Sequence, residues 1–110
     1  MSNEFTIQQT FHNWCTKQPF ILECWHVPNG MHASSKACSM MKKIGLHKGV
    51  CDYWILLNNK KIIAVEFKTT TGSLSDEQKT FVKHLQQCDI PVAVCRTPFE
   101  ATTFVKQCLS

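Results

Sequence analysis

The feature that most constrains this chain is Ile62-Ile63-Ala64-Val65-Glu66-Phe67-Lys68, an apolar strand carrying a carboxylate and an amine two residues apart. Strand side chains alternate between faces, so Glu66 and Lys68 share one face while Val65 and Phe67 take the other. In a central strand both faces are covered, and an unpaired charge buried there costs on the order of several kcal/mol. Such a strand either lies at an edge with its polar face in water or meets a partner for its charges. A second lone carboxylate opens the preceding strand, Asp52-Tyr53-Trp54-Ile55-Leu56-Leu57. Two carboxylates and a lysine converging on one place favour the second option.

The surrounding pattern predicts a complete α/β order. Ile7, Phe11, Trp14 and Cys15 recur at helical spacing from Glu4 to Cys15, and Phe20 to Val27 reads as a strand ended by Pro28-Asn29-Gly30. A short basic helix from about Ala33 to Lys43 stops near Gly45. Strands over Asp52–Leu57 and Lys61–Thr69 form a hairpin around Asn58-Asn59. Ser75-Asp76-Glu77-Gln78 is a capping box for a helix running to about Cys88, with Phe81, Val82, Leu85 and Cys88 on one stripe. A strand over Pro91–Cys95 and a helix over Phe99–Leu109 complete the α-β-α-β-β-α-β-α order. The expected fold is a mixed β-sheet flanked by helices on both faces, with the last strand parallel to Lys61–Thr69.

Convergence of the charged groups sets a condition on the hairpin. A two-residue loop would place Asp52 opposite Val65 and turn it away from Glu66. A three-residue loop through Lys60, or a bulge near Cys51, would place Asp52 opposite Glu66 on the same face. One of those irregularities is therefore predicted.

Composition narrows the setting. The 110 residues suit a single domain, 1–110. No apolar run approaches the roughly 20 residues that span a bilayer, so no membrane partner is expected. Met1-Ser2-Asn3-Glu4 lacks the basic-then-apolar start of a secretory signal, which makes the cytoplasm the expected location. The seven cysteines contain no Cys-x-x-Cys pair, and small buried thiols are a better account of them than a zinc site. The net charge of +4 permits an acidic polymer as partner, and Lys36, Lys42, Lys43, His47 and Lys48 crowd the stretch leading to Asp52.

Paired carboxylates hold hard divalent cations through oxygen, the ligand type that suits Mg²⁺ or Mn²⁺. A nearby lysine can orient a water or steady developing charge. That is equipment for metal-assisted phosphodiester hydrolysis.

Asp52, Glu66 and Lys68 match the pattern of the PD-(D/E)XK nucleases, and the flanking segments resemble the VRR-NUC branch of that superfamily. They are Trp25-His26-Val27-Pro28-Asn29-Gly30, the basic helix, Lys48-Gly49-Val50-Cys51-Asp52, Gly72-Ser73-Leu74-Ser75-Asp76-Glu77-Gln78-Lys79 and Val92-Ala93-Val94-Cys95-Arg96. The resemblance implies a restriction-endonuclease-like core and an endodeoxyribonuclease using Mg²⁺ or Mn²⁺. Its stand-alone members, common in bacteria and phages, are similar to homodimeric Holliday-junction resolvases, which implies branched DNA, a homodimer and a bacterial or phage-infected cytoplasm. Carried over by position, Asp52, Glu66, Lys68 and Gln78 would be catalytic, and Glu4, Asp52, Glu66 and the carbonyl of Phe67 would ligate metal. The sequence departs from the family in having Cys51 before the first aspartate in place of proline. Thr69-Thr70-Thr71-Gly72 also replaces a Gly/Pro-containing stretch after the lysine.

Several residues keep two readings. Glu4 is either a metal ligand or a solvated helix start. Gln78 is a cap residue, a site-facing residue, or both. His26 and Asn29 line a DNA cleft or merely end a strand and form a turn. Lys36, Lys42, Lys43, Lys48 and Lys79 contact DNA or simply face water. Arg96 holds a phosphate or a neighbouring carboxylate. Trp14, Trp25, Trp54 and Phe81, each on an apolar stripe, are expected in the core rather than as base-stacking platforms. The functional alternatives are a nicking or restriction-type nuclease for linear duplex, and a catalytically silent DNA-binding module.

Overall fold

In the computed structural model, residues 3–28 and 35–110 are described. Along the chain run α1 (Glu4–Cys15), β1 (Ile21–His26), α2 (Ser35–Lys43), β2 (Tyr53–Leu57), β3 (Ile62–Phe67), α3 (Asp76–Gln87), β4 (Val92–Cys95) and α4 (Pro98–Gln107). The order and types are those the sequence predicts; the strands are shorter by one or two residues at their ends. Asn29 lies outside the described residues.

The four strands form one sheet in the order β1-β2-β3-β4. β2 is antiparallel to both β1 and β3, whereas β4 runs parallel to β3 across the α3 crossover. The β2–β3 register pairs Tyr53 with Val65 and Leu56 with Ile62, and Leu57 N–H donates to Lys61 O at 2.9 Å. The loop is therefore Asn58-Asn59-Lys60, and Lys60 takes the left-handed conformation at φ 74°. This is the three-residue hairpin in which a left-handed third residue closes the turn. Carried one step past Tyr53–Val65, the register sets Asp52 opposite Glu66, as convergence requires.

Alternation divides the sheet between two cores. Tyr53, Ile55 and Leu57 of β2 and Ile63, Val65 and Phe67 of β3 pack against Ile7, Phe11 and Cys15 of α1 and Ala101, Val105 and Cys108 of α4. Phe11 anchors this face, with its ring 5.3 Å from Tyr53 and 5.5 Å from Phe67. The opposite face buries Cys51, Ala64 and Leu85, with Trp54, Phe81, Val82, Ile90 and Val92 around them. Each fully buried large apolar side chain contributes about 2–3 kcal/mol, so the α1/α4 face carries most of the stability. The face against α3 is thinner, and Glu66 belongs to it.

Two expectations about apolar residues are corrected. Trp25, placed in the core by its stripe, is 40% exposed, because it lies on the edge strand β1. Cys88 caps the end of α3 and is exposed, leaving Leu85 as the buried residue of that stripe.

Candidate active site

The sheet topology gathers the charged residues at one end. β1 finishes there at His26, paired with Tyr53 at the start of β2, and β3 and β4 both finish there, with Phe67 beside Cys95. Asp52 is 7% exposed and Glu66 1% exposed. Asp52 Oδ2 accepts the main-chain N–H of Phe67 at 2.8 Å, which ties the first carboxylate to the peptide between Glu66 and Lys68. Glu66 Oε2 accepts from Gln78 Nε2 at 3.2 Å. Its other oxygen, Oε1, is buried with no hydrogen-bond partner among the described residues.

An orphaned buried carboxylate oxygen costs about 1–3 kcal/mol or more if it stays charged, so something must neutralise it. Burial pushes the Glu66 carboxyl up to about 9, reinforced by the neighbouring Asp52 and by Glu4, and partly offset by Lys68. At neutral pH the metal-free Glu66 carboxyl therefore keeps its proton.

Gln78 reconciles its two readings. Its Oε1 accepts the Ser75 N–H at 2.8 Å, and Ser75 Oγ accepts the Gln78 N–H at 3.2 Å, closing the capping box. The amide end left over is the one that reaches Glu66. One side chain thus starts α3 and fixes a carboxylate, and Ser75 orients both.

Glu4, half-buried in the first turn of α1, is near enough to act on the Glu66 charge. Lys68, also half-buried, stands one strand step beyond Glu66. Among the described residues no three His, Cys, Asp or Glu side chains form a ready-made metal cage, so Glu4 is not gathered with Asp52 and Glu66. Two carboxylates are nevertheless what Mg²⁺ commonly takes from a protein, the rest of its shell coming from water and substrate phosphate. The pair therefore fits a hard divalent cation.

The four buried cysteines are poor metal ligands. Burial pushes the Cys15, Cys51 and Cys95 thiols up to about 12 and raises Cys108, keeping all four protonated. Cys51, where the family favours proline, fills the core beneath α3, and its carbonyl accepts the Trp54 indole N–H at 3.1 Å.

The predicted DNA-contacting residues are placed unequally. Lys36, Lys42 and Lys43 are exposed on α2, Lys48 follows in the loop, and Lys79 is exposed next to Gln78. His26 is exposed at the end of β1. Arg96 has other work. Its Nη1 donates to Thr69 O at 2.5 Å and to Gly72 O at 2.6 Å, clamping the Thr69–Gly72 turn that follows Lys68. Arg96→Ala is expected to destabilise the fold by about 1–3 kcal/mol, because it strands two carbonyls. It should leave the slope of log K against log salt for DNA unchanged, where removing a phosphate-binding lysine shifts that slope by about one. Denaturant unfolding and a salt titration check both halves.

Sequence reasoning missed Gly49. It adopts φ +87°, and a Cβ there would sit 2.6 Å from the carbonyl carbon and oxygen of Glu77. The absent side chain lets the loop leading to Asp52 lie directly on the first turn of α3, beside Gln78.

The model of the family described as the VRR-NUC domain matches residues 2–98. A solved structure titled "VRR_NUC domain protein" superposes with a TM-score of 0.78, covering 97% of this chain and 88% of that one at 17% sequence identity. No curated protein matches.

Proposed function

Because the chain belongs to the VRR-NUC domain family, whose members are of nuclease type, we propose that it is a divalent-metal-dependent endonuclease that hydrolyses DNA phosphodiester bonds, with branched DNA such as Holliday junctions as substrate. The observation that supports it most is the buried Asp52–Glu66 pair with an unpartnered oxygen and Lys68 one step away.

On this reading Asp52 and Glu66 would hold Mg²⁺ or Mn²⁺, with the Phe67 carbonyl as a further oxygen ligand and Glu4 adding charge nearby. The bound cation would neutralise charge on the scissile phosphate and acidify a water. The chain's own groups do the positioning. Phe67 N–H fixes one oxygen of Asp52, and Gln78 fixes one oxygen of Glu66, so each carboxylate keeps one oxygen for the cation. Lys68 orients the attacking water or steadies a phosphate oxygen as charge develops. Lys36, Lys42, Lys43, Lys48 and Lys79 supply salt-sensitive phosphate contacts, and His26 and Asn29 contact the DNA as well. A junction needs two symmetric cuts, so the proposed working form is a homodimer.

The test uses labelled four-way junction, flap and linear duplex with Mg²⁺ or Mn²⁺. Wild type is expected to cut the branched substrates in preference to the duplex. Lys68→Ala is expected to lower cleavage by about 10²–10⁴-fold while still binding DNA. Binding without metal-dependent cleavage of any substrate would leave a silent DNA-binding module. Sedimentation showing monomer alone at micromolar concentration would remove the paired-cut version and leave flap cleavage.

A further inference from the structure

A cleft of about 380 Å³ opens beside the carboxylates, on the α1 side of the same sheet end, lined by Phe5, Gln8, Gln9, His12, His26 and Tyr53. Its volume falls in the range of small-ligand sites, about 300–1,000 Å³. Chain continuity ties it to the site: Phe5 follows Glu4, Tyr53 follows Asp52, and Val27, next to His26, donates its N–H to Asp52 O at 2.8 Å. Alternation turns Tyr53 to the α1 face and Asp52 to the α3 face, so cleft and carboxylates share one end of the sheet from its two sides, and Glu4, next to Phe5, is near enough to act on Glu66.

The lining selects the ligand. Among the described residues its lining holds no lysine or arginine, so it offers a phosphate no counter-charge, and no carboxylate, so it offers a cation none either. It holds instead two side-chain amides, each both donor and acceptor, two imidazoles, a phenol and a phenyl ring. Phe5 is 72% exposed, so most of its apolar ring faces outward. His12 is set in place by Tyr53, whose Oη lies 2.6 Å from Nδ1.

A planar, uncharged, hydrogen-bonding aromatic fits that set: stacking on Phe5, edge contacts to Gln8, Gln9 and His12. We infer that this cleft receives one unpaired nucleobase, carried on the nucleotide adjoining the scissile phosphate. The inference rests on the nuclease reading and extends it, since branch points are where duplex DNA offers unpaired bases. Enzymes that read such bases do so by stacking plus hydrogen bonds to the exposed edge.

The experiment uses a flap substrate with 2-aminopurine, or an abasic residue, at the nucleotide adjoining the cut. Binding is measured in Lys68→Ala so that no cleavage intervenes, and cleavage of the same DNA by wild type is followed separately. The 2-aminopurine fluorescence is expected to change on binding, and Phe5→Ala, at an exposed position, should abolish that change. The abasic substitution should weaken binding about tenfold with Phe5 present and less than twofold in Phe5→Ala. An unchanged fluorescence response in Phe5→Ala, or equal abasic penalties with and without Phe5, overturns the base site and leaves the nuclease reading standing. DNA that neither binds nor is cut overturns both.

Discussion

In Glu66→Gln, metal-dependent cleavage is expected to fall by about 10³-fold while the metal-free fold becomes more stable above neutral pH. The two effects have one cause. Burial beside Asp52 holds the folded Glu66 carboxyl up at about 9, against an ordinary value of 4.5. Between those values the folded chain keeps a proton that the unfolded chain has released. Stability therefore falls as pH rises through that window: the cost is absent below about 4.5 and complete above about 9. Glutamine fills the same space without the charge, so the variant should lose that slope and gain about 1–3 kcal/mol near pH 8. Thermal unfolding in chelator from pH 5 to 9 reads the difference. Adding Mg²⁺ or Mn²⁺ should restore wild type at high pH and leave the variant unmoved, since metal replaces the proton. Parallel pH profiles for the two proteins would mean that Glu66 is an ordinary buried acid.

That strand was readable because its chemistry contradicts its pattern: an apolar run has no local reason to carry Glu66 and Lys68. The element order was readable for a similar reason, since caps such as Ser75–Gln78 and turns such as Asn58-Asn59 are local. What escaped was every contact made across the chain. The choice between hairpin registers turned on Lys60 adopting φ 74°, which nothing in a lysine announces. Gln78 was visible as a cap, but its bond to Glu66 exists only once α3 crosses over β3. Arg96 reads as the holder of a phosphate or a carboxylate; its destination, the carbonyls of Thr69 and Gly72, depends on the parallel β3–β4 pairing. Periodicity placed Trp25 inward and could not show that β1 is an edge.

Gly49→Ala is expected to be the most damaging small substitution outside the carboxylates. A methyl group there meets backbone: 2.6 Å from Glu77 C and O, and 2.9 Å from Gln78 N. Backbone cannot swing aside as a side chain can, so either the loop before Asp52 or the first turn of α3 must shift. The left-handed φ of +87° adds about 1–2 kcal/mol of strain for any residue with a Cβ. Overpacking adds about 1–3 kcal/mol, for a total loss of roughly 2–5 kcal/mol. Because Asp52 and Gln78 sit on either side of this contact, the shift separates the two groups that hold the Glu66 site together. A displacement of about 1 Å in such a site costs on the order of 10²-fold in rate. Gly45→Ala is the control: its φ is +104°, but a Cβ there meets nothing within 4 Å. It should lose only the strain, about 1–2 kcal/mol, and keep full activity. Denaturant unfolding of both variants, with cleavage rates measured well below their melting temperatures, separates strain from displacement. Equal losses of stability with activity intact in both would show that the Gly49 contact does not position the site.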